Sequence, residues 1–550
     1  MTRERDDQIA FPTLEPDLVD RLREFGEVRR TEKDQVLFSE GDRGFDFFVV
    51  LDGAVEILET ASGSPNRVTV HGPGEFTGDV DMLTGRAALV TARVEEPGEV
   101  LAISAEGLRT IVGQVSEVSE TLLQAFLMRR TLLLDQGYEG LKIIGSRFSP
   151  EAHRLRDFAT RNALPFTWLD LEREPAADEL LDHFGVRPEE TPVVIGRGGE
   201  LLRNPSLAEL GKAMGLDAQA DTDELFDLVV VGGGPAGLGA AVYAASEGLR
   251  TLVVEAVAVG GQAGTSTRIE NYLGFPAGIS GAELTQNAML QAQKFGASMS
   301  VPHQAARLRL EGGYRVVELE DGSEIMGRCV LVSSGAEYRQ LGVPDLERFE
   351  GAGVYYAATE NEARLCTDDD LAVVGGGNSA GQAAVYLSGL ARTVHLILRG
   401  DDLGKSMSRY LVDRIQRSEN IRVRTQTEVR ALHGDEHLEA VDLETPEGQE
   451  RLDLKAVFVF IGAEPHTDWL DGCVKLDRKG FVMTGPQIPR STLRGAAWSG
   501  IRRSPFLLET SLPGVFAAGD VRSGSIKRVS SAVGEGAMAV TFIHQHLGTA

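Results

Sequence analysis

The sequence predicts a multidomain chain with three kinds of folding unit: an N-terminal β-roll, a small α/β domain, and a C-terminal α/β half built on two similar windings. Three observations carry this. At about 100–200 residues per domain, the 550 residues amount to three or four domains. Short strand-like runs separated by glycine turns fill the first quarter of the chain and then stop. Beyond Phe226, two glycine-rich turns each follow an apolar run and open a helix-like segment.

The roll is read from VLFSEGDRG, FDFFVVLDG, AVEILET, HGPGEFTGD and VTARVEEPGEVLAIS, which alternate apolar runs with turns between Phe11 and Leu134. A helix over Ser116–Leu134 closes it. Its stripe of Val118, Leu122, Phe126 and Leu127 is core packing or, in the sharper reading, a dimer-forming or connecting helix. The first unit is bounded at 1–135. From Leu141 the order becomes strand (LKIIGS), helix (EAHRLRDFATRNA), strand (FTWLDLE), helix (DELLDHFGV), two strands (TPVVIG, ELLRN) and a helix (LAELGKAMG), giving an α/β unit over 139–216. The polar, acidic run DAQADTDE marks a linker at 217–225.

Composition narrows the function. Hydrophobic residues make up 42% and charged residues 25%, as in ordinary globular proteins. The net charge of −27 excludes nucleic acid and anionic lipid as expected partners, since both are bound by neutralising phosphates with Lys and Arg. The cysteines are Cys329, Cys366 and Cys473, an odd and sparse set that suits a reducing cytoplasm. MTRERDDQIAFP carries no apolar core of a secretory signal, and the uncharged stretch Leu228–Ser246 is broken by glycines and Pro235, so no membrane insertion is expected.

The chemistry lies in the two glycine-rich turns. In DLVVVGGGPAGLGAAVYAASEGLRTLVVEA, Gly232, Gly234 and Gly237 give G-x-G-x-x-G after a buried strand. The first glycine permits the turn, the second admits a diphosphate to the backbone, and the third allows close helix–strand packing. Pro235 and Ala236 head the helix, whose free N–H groups attract phosphate. Glu255 ends the next strand, where a carboxylate accepts from ribose hydroxyls. In the second turn, Gly375 and Gly377 precede Asn378, Ser379 and Ala380, the last a small residue in the third place. The following strand ends in Arg399, with Lys405 and Arg409 nearby, which favours the 2′-phosphate of NADPH over NADH without excluding the latter. Two dinucleotide folds in one chain imply a held flavin and a diffusible nicotinamide.

Residues 226–550 resemble the thioredoxin-reductase branch of the FAD/NAD(P)-linked disulfide oxidoreductases. The resemblance rests on GGQAGTSTRIENYLGFPAGISGAEL, SSGAEYRQLGVP, FIGAEPHT and GVFAAGDV. It implies FAD, with Gly261, Gln262 and Asn271 along the flavin, Gly519 and Asp520 beneath the ribityl chain and diphosphate, and Arg528 near the isoalloxazine. It also implies an FAD domain over 226–345 and 460–550, an NAD(P)H domain over 346–459, and a homodimer. Two departures stand out. Where the family has Cys-x-x-Cys, this chain has Ala357 and Glu360, which cannot form a disulfide. Gly400 and Gly404 stand where the family has arginine, which weighs against NADPH. Cys366 is read as filler rather than as a redox thiol, and no catalytic residue is assigned.

The middle unit resembles a thioredoxin or glutaredoxin fold, with Thr191–Pro192 before a strand and Ser146-Arg147-Phe148-Ser149-Pro150 in place of the cysteine pair. His153 reads as a solvated helix residue. The roll resembles cyclic-nucleotide-binding domains in VLFSEGDRGFDFFVVLDGAVEI and GPGEFTGDVDMLTGR. Asp79 replaces the family's ribose-binding glutamate and Ala88 its phosphate-binding arginine. Arg86 lies two positions away, so cyclic-nucleotide binding is not expected. The leading expectation is an FAD-dependent oxidoreductase passing hydride from NADPH to flavin and then to a direct acceptor. The alternatives are a thioredoxin-disulfide reductase using a lone or partner cysteine, and a non-catalytic flavin- or ligand-responsive sensor.

Overall fold

The computed structural model describes residues 8–59, 66–135, 141–196, 200–214, 216, 224–266, 268–356, 358, 360–435, 437–470 and 472–549. Most of the expected linker 217–225 lies outside the described residues, as does Ala357.

The roll is antiparallel, in the order Glu27–Arg30, Thr91–Ile103, Phe47–Glu59, Asn66–His71, with Val36–Phe38 also paired to Thr91–Ile103. Its two long strands have 13 residues each, and register shifts between Val50 and Val55 bend them around their own core. Phe126, from the helix Ser116–Asp135, meets Phe47 and Phe76 edge-on at 77° and 75°. Val118, Leu122 and Phe126 are fully buried and Leu127 packs beside them. The stripe is therefore roll core, and the reading of it as a dimer-forming surface gives way.

The middle sheet runs Phe166–Asp170, Leu141–Gly145, Val193–Ile195, Leu201–Arg203. The first two strands are parallel, joined by the crossover helix Pro150–Arg161, and the other pairings are antiparallel. The Thr191–Pro192 peptide is cis.

In the C-terminal half, Ser298–Ser300, Thr251–Val254, Leu225–Val231, Glu324–Val332 and Val515–Ala517 form a parallel sheet, extended antiparallel by Tyr314–Leu319 and Ala305–Glu311. Leu228–Val231 are at most 5% exposed, as strands covered on both faces must be. A second parallel sheet, Val354–Tyr355, Ala456–Val459, Asp370–Val374, Thr393–Ile397, Ile421–Arg424, is inserted before the chain returns at Val515. The two crossings pair with each other, Ala336–Tyr338 antiparallel to Ala463–Pro465. Helix Val529–Thr549 packs against helix Pro235–Ser246 at Gly536, where a Cβ would stand 2.0 Å from the Ala236 carbonyl oxygen. Among the described residues, no helix is long and apolar enough to cross a membrane.

Candidate active site

The first glycine turn follows the strand Leu225–Val231. Gly232 has φ +106°, and a Cβ there would lie 2.3 Å from the Ser333 carbonyl oxygen. Gly237 is excluded from change for a different reason, since its Cβ would lie 2.0 Å from the Gly232 carbonyl oxygen. Gly234 differs from both. Its backbone is extended (φ −73°, ψ −176°), and the nearest atom to a Cβ would be Gly261 Cα at 3.9 Å. Gly234 thus faces open space, the geometry a diphosphate requires. Glu255 holds the turn from the far side: Oε2 accepts from Gly233 N at 2.7 Å and Oε1 from Val257 N at 3.0 Å. Each oxygen keeps a lone pair for a further donor.

These residues open on one cavity of about 420 Å³, within the usual range for small-molecule sites. Gly232, Gly234, Pro235, Ala236, Glu255, Gly261, Gln262, Asn271, Gly519, Asp520 and Arg528 all line it, whereas Gly237 lies behind its wall. Helices Pro235–Ser246, Asn378–Leu387 and Val529–Thr549 all begin at this cavity, so three sets of free N–H groups and three positive dipole ends converge there. Burial pushes the Asp520 carboxyl up, with Glu535 adding to the rise and Lys527 opposing it. Gly519 N donates to Glu535 Oε2 at 2.8 Å, and Arg522 pairs with the same carboxylate. The donor set, the glycine floor and the ribose-side carboxylate fit an adenine dinucleotide.

The second turn repeats the local logic. Gly375 has φ +149°, with a Cβ placed 2.4 Å from the Phe460 carbonyl oxygen, and Gly377 faces open space. Ala380 is fully buried against the sheet. Asn378 Oδ1 accepts from Ser408 N at 2.7 Å, tying down the loop that follows the next strand. Asn378 and Ser379 reach the large cavity. Ser379 and Gln382 also line a neighbouring cavity of about 320 Å³, which shares Ser266 with the first and is spanned by the Arg414–Glu270 ion pair at 2.8 Å. Arg399 is exposed and has no ion-pair partner among the described residues. Lys405 and Arg409, expected to help it, are instead paired with Asp401 at 2.6 Å and Asp413 at 2.9 Å.

The three cysteines stay apart. Cys366 and Cys329 are buried and burial pushes both thiols up to about 12, while Cys473 donates to the Leu308 carbonyl oxygen. Ala357 lies outside the described residues.

Sequence reasoning missed what the middle unit contributes. Arg161 lines the large cavity and donates to the Gly261 carbonyl oxygen at 3.3 Å, and Asn162 Nδ2 donates to the Val257 carbonyl oxygen at 3.1 Å. His153 is not a solvated residue: its Nε2 lies 3.1 Å from Glu362 Oε1, and its ring is 5.8 Å from Tyr355. Phe148 stacks on His437 at 4.9 Å. The two serines in the cysteine places serve local structure. Ser146 Oγ accepts from Phe148 N, and Ser149 Oγ caps helix Pro150–Arg161 by accepting from Ala152 N. In the roll, Asp79 likewise caps the helix Val80–Thr84, and Arg86 turns away to donate to the Asn162 carbonyl oxygen at 3.1 Å.

Known proteins match this arrangement in two places. Residues 226–536 match the family model for pyridine nucleotide-disulphide oxidoreductases, and residues 28–114 match that for the cyclic nucleotide-binding domain. The chain is 37% identical over 315 residues to a thioredoxin reductase of Mycolicibacterium smegmatis, covering 57% of this chain and 94% of that one. It is 32% identical over 345 residues to an NADH dehydrogenase of Bacillus subtilis (strain 168), covering 62% of each. The crystal structure of T. acidophilum thioredoxin reductase superposes with a TM-score of 0.52 at 28% identity, covering 59% of this chain and 99% of that one. With two glycine cradles opening on adjoining cavities and a family match across its C-terminal half, the chain belongs to the pyridine nucleotide-disulphide oxidoreductases, FAD-dependent enzymes that work with NADPH or NADH, and it carries a cyclic nucleotide-binding domain ahead of the reductase.

Proposed function

We propose that this chain passes electrons from NADPH through FAD to an acceptor that meets the flavin directly, with no protein dithiol between them. The observation that carries this reading is the seating of the middle unit. Its Ser146–His153 end lies against the segment next to positions 357 and 360, where the family's cysteine pair would stand. A Cβ on Gly351 would be 3.2 Å from Pro150 Cα, and Glu362 beneath His153 is 3% exposed. Among the described residues, these contacts occupy the side from which a separate thioredoxin would approach, and the chain has no Cys-x-x-Cys to offer it. A quinone or another small oxidant needs neither.

In this reading Gly232, Gly234, Gly261 and Gly519, with the starts of helices Pro235–Ser246 and Val529–Thr549, hold the FAD diphosphate, and Glu255 holds the ribose. Gln262, Asn271, Asp520 and Arg528 line the flavin end. FAD supplies there a two-electron carrier between nicotinamide and acceptor. Gly375 to Ala380 and Arg399 receive NADPH, and the Arg414–Glu270 pair holds the two nucleotide units in register. The middle unit is a thioredoxin-like module, supported by its sheet order and strand directions, and acts as a cover rather than a redox partner. We also place the chain in the cytoplasm as a homodimer, by family resemblance.

The test is anaerobic titration of the purified holoprotein with NADPH and with NADH, following loss of the flavin's visible absorbance, then reoxidation by a benzoquinone or by oxidised thioredoxin. Bleaching by NADPH and reoxidation by the quinone alone are expected. Thioredoxin-dependent reoxidation that disappears in Cys366→Ser would overturn the reading in favour of a disulfide reductase. No bleaching with either nucleotide would overturn it in favour of a sensor.

A further inference from the structure

The roll contains a cavity that the reductase reading does not use. It has a volume of about 140 Å³ and is walled by Phe38, Phe45, Ile57 and Val90. A dry protein cavity of about 150 Å³ holds one benzene ring, so the space between these side chains admits a single ring. Its chemistry agrees with its size. Ala88, 3% exposed, stands in the wall where the family's phosphate-binding arginine would reach in.

The one guanidinium at the cavity is engaged elsewhere. Arg129 Nε, Nη1 and Nη2 donate to the carbonyl oxygens of Ala10 at 2.7 Å, Gly78 at 2.6 Å and Phe76 at 3.0 Å. Three of its five N–H groups are already given to backbone, so an anion entering the cavity meets a guanidinium that is largely satisfied and held away from it. The polar groups left in the wall favour a donor. Asp79 lines the cavity with a carboxyl group that accepts from Asp81 N through Oδ1. His71 is 2% exposed, and its Nδ1 lies 3.6 Å from Glu75 Oε2, too far for a good hydrogen bond.

We propose that the roll binds a neutral, single-ring aromatic molecule carrying one hydroxyl donor, of the phenol class, in place of a cyclic nucleotide. The ring occupies the apolar space between Phe38, Phe45 and Ile57, and the hydroxyl donates to the Asp79 carboxyl.

The experiment is isothermal titration of the full-length holoprotein with four probes: p-cresol, toluene, benzoate and cyclic AMP. Saturable binding of p-cresol is expected, with toluene about tenfold weaker for want of the hydrogen bond. Benzoate and cyclic AMP should not saturate. Ala88→Phe, which places a ring in the cavity, should abolish p-cresol binding while leaving the flavin spectrum unchanged. If that variant does not fold, transferred nuclear Overhauser effects from p-cresol to the rings of Phe38 and Phe45 locate the ligand in the wild-type chain. Saturable binding of cyclic AMP or benzoate, p-cresol binding that survives Ala88→Phe, or no p-cresol binding at all overturns the proposal. None of these readouts depends on reductase turnover.

Discussion

The C-terminal half and the two N-terminal units build the positions singled out in the sequence in opposite ways. In the C-terminal half, the two phosphate cradles are built from backbone. Gly232 and Gly375 take positive φ against a neighbouring carbonyl, while Gly234 and Gly377 leave space open in front of a helix start. In the N-terminal units the positions singled out by resemblance are side chains, and each has a local task. Ser149 and Asp79 cap helices, and Arg86 bonds across to the middle unit. A cradle built from backbone is tied to the turn that makes the fold, so it persists with the fold. A site built from one arginine or two cysteines is lost by single substitutions that leave the fold intact.

This contrast is broken most directly at the glycines. Gly237→Val places a Cβ 2.0 Å from a backbone oxygen, so the variant should yield little folded protein. At Gly234 an added Cβ meets no protein atom nearer than 3.9 Å, and Gly234→Val keeps an ordinary φ. It should give a folded but colourless chain, with FAD affinity reduced more than a hundredfold, roughly 3 kcal/mol. Circular dichroism and released-flavin absorbance separate the two outcomes. A yellow, active Gly234→Val protein would falsify the assignment of the cavity.

A smaller effect is expected at Arg399, the one side-chain element of the C-terminal half on which cofactor choice rests. With Lys405 and Arg409 paired to acids, Arg399 is the residue we propose to meet a 2′-phosphate. Arg399→Ala should raise KM for NADPH about tenfold, near 1.4 kcal/mol, and leave KM for NADH within twofold. Equal changes with both nucleotides would make Arg399 a surface residue and NADPH no longer the preferred donor.

The same division explains what was legible in the sequence. The glycine turns, Glu255 and the strand–helix orders were readable because each is a local pattern whose reason lies within a few residues. The contacts between units were not. His153 sits where helical periodicity within its own domain leaves it exposed, and Glu362 and Tyr355, from a distant segment, cover it. Arg161 and Asn162 reach the carbonyl oxygens of Gly261 and Val257 for a similar reason, through the docking of separate units. The stripe Val118–Leu127 was readable as apolar, but its target, the roll's own interior, depended on how the long strands curl.

In the roll, the burial of Asp79 gives a pH signature. Burial pushes its carboxyl up to about 7, the Asp81 charge adds to the rise, and Arg130, the Asp81 N–H and Arg129 oppose it. A carboxyl whose folded pKa exceeds its unfolded value favours the folded state in its protonated form. That contribution is complete below the unfolded value of 3.8 and is lost as pH rises through about 7. The roll should therefore melt lower at pH 8 than at pH 5.5. Asp79→Asn keeps a helix-capping acceptor and should flatten the dependence. Calorimetric melts at the two pH values check this, and an unchanged slope in the variant would remove Asp79 from the account.

The smallest effect is expected at Cys366, and a near-zero result there is informative. The residue is 3% exposed and its thiol is pushed up to about 12 by burial, with Asp369 and Glu362 adding to the rise. At pH 8 its thiolate fraction is on the order of one in ten thousand, too small for attack on a disulfide. Cys366→Ser should leave quinone turnover within twofold. Iodoacetamide should label Cys366 only after denaturation. Rapid labelling of the native chain would mean that the core around Cys366 opens, and a working thiol would then be available in the C-terminal half. The distinction between backbone-built and side-chain-built function would no longer separate the two parts of the molecule.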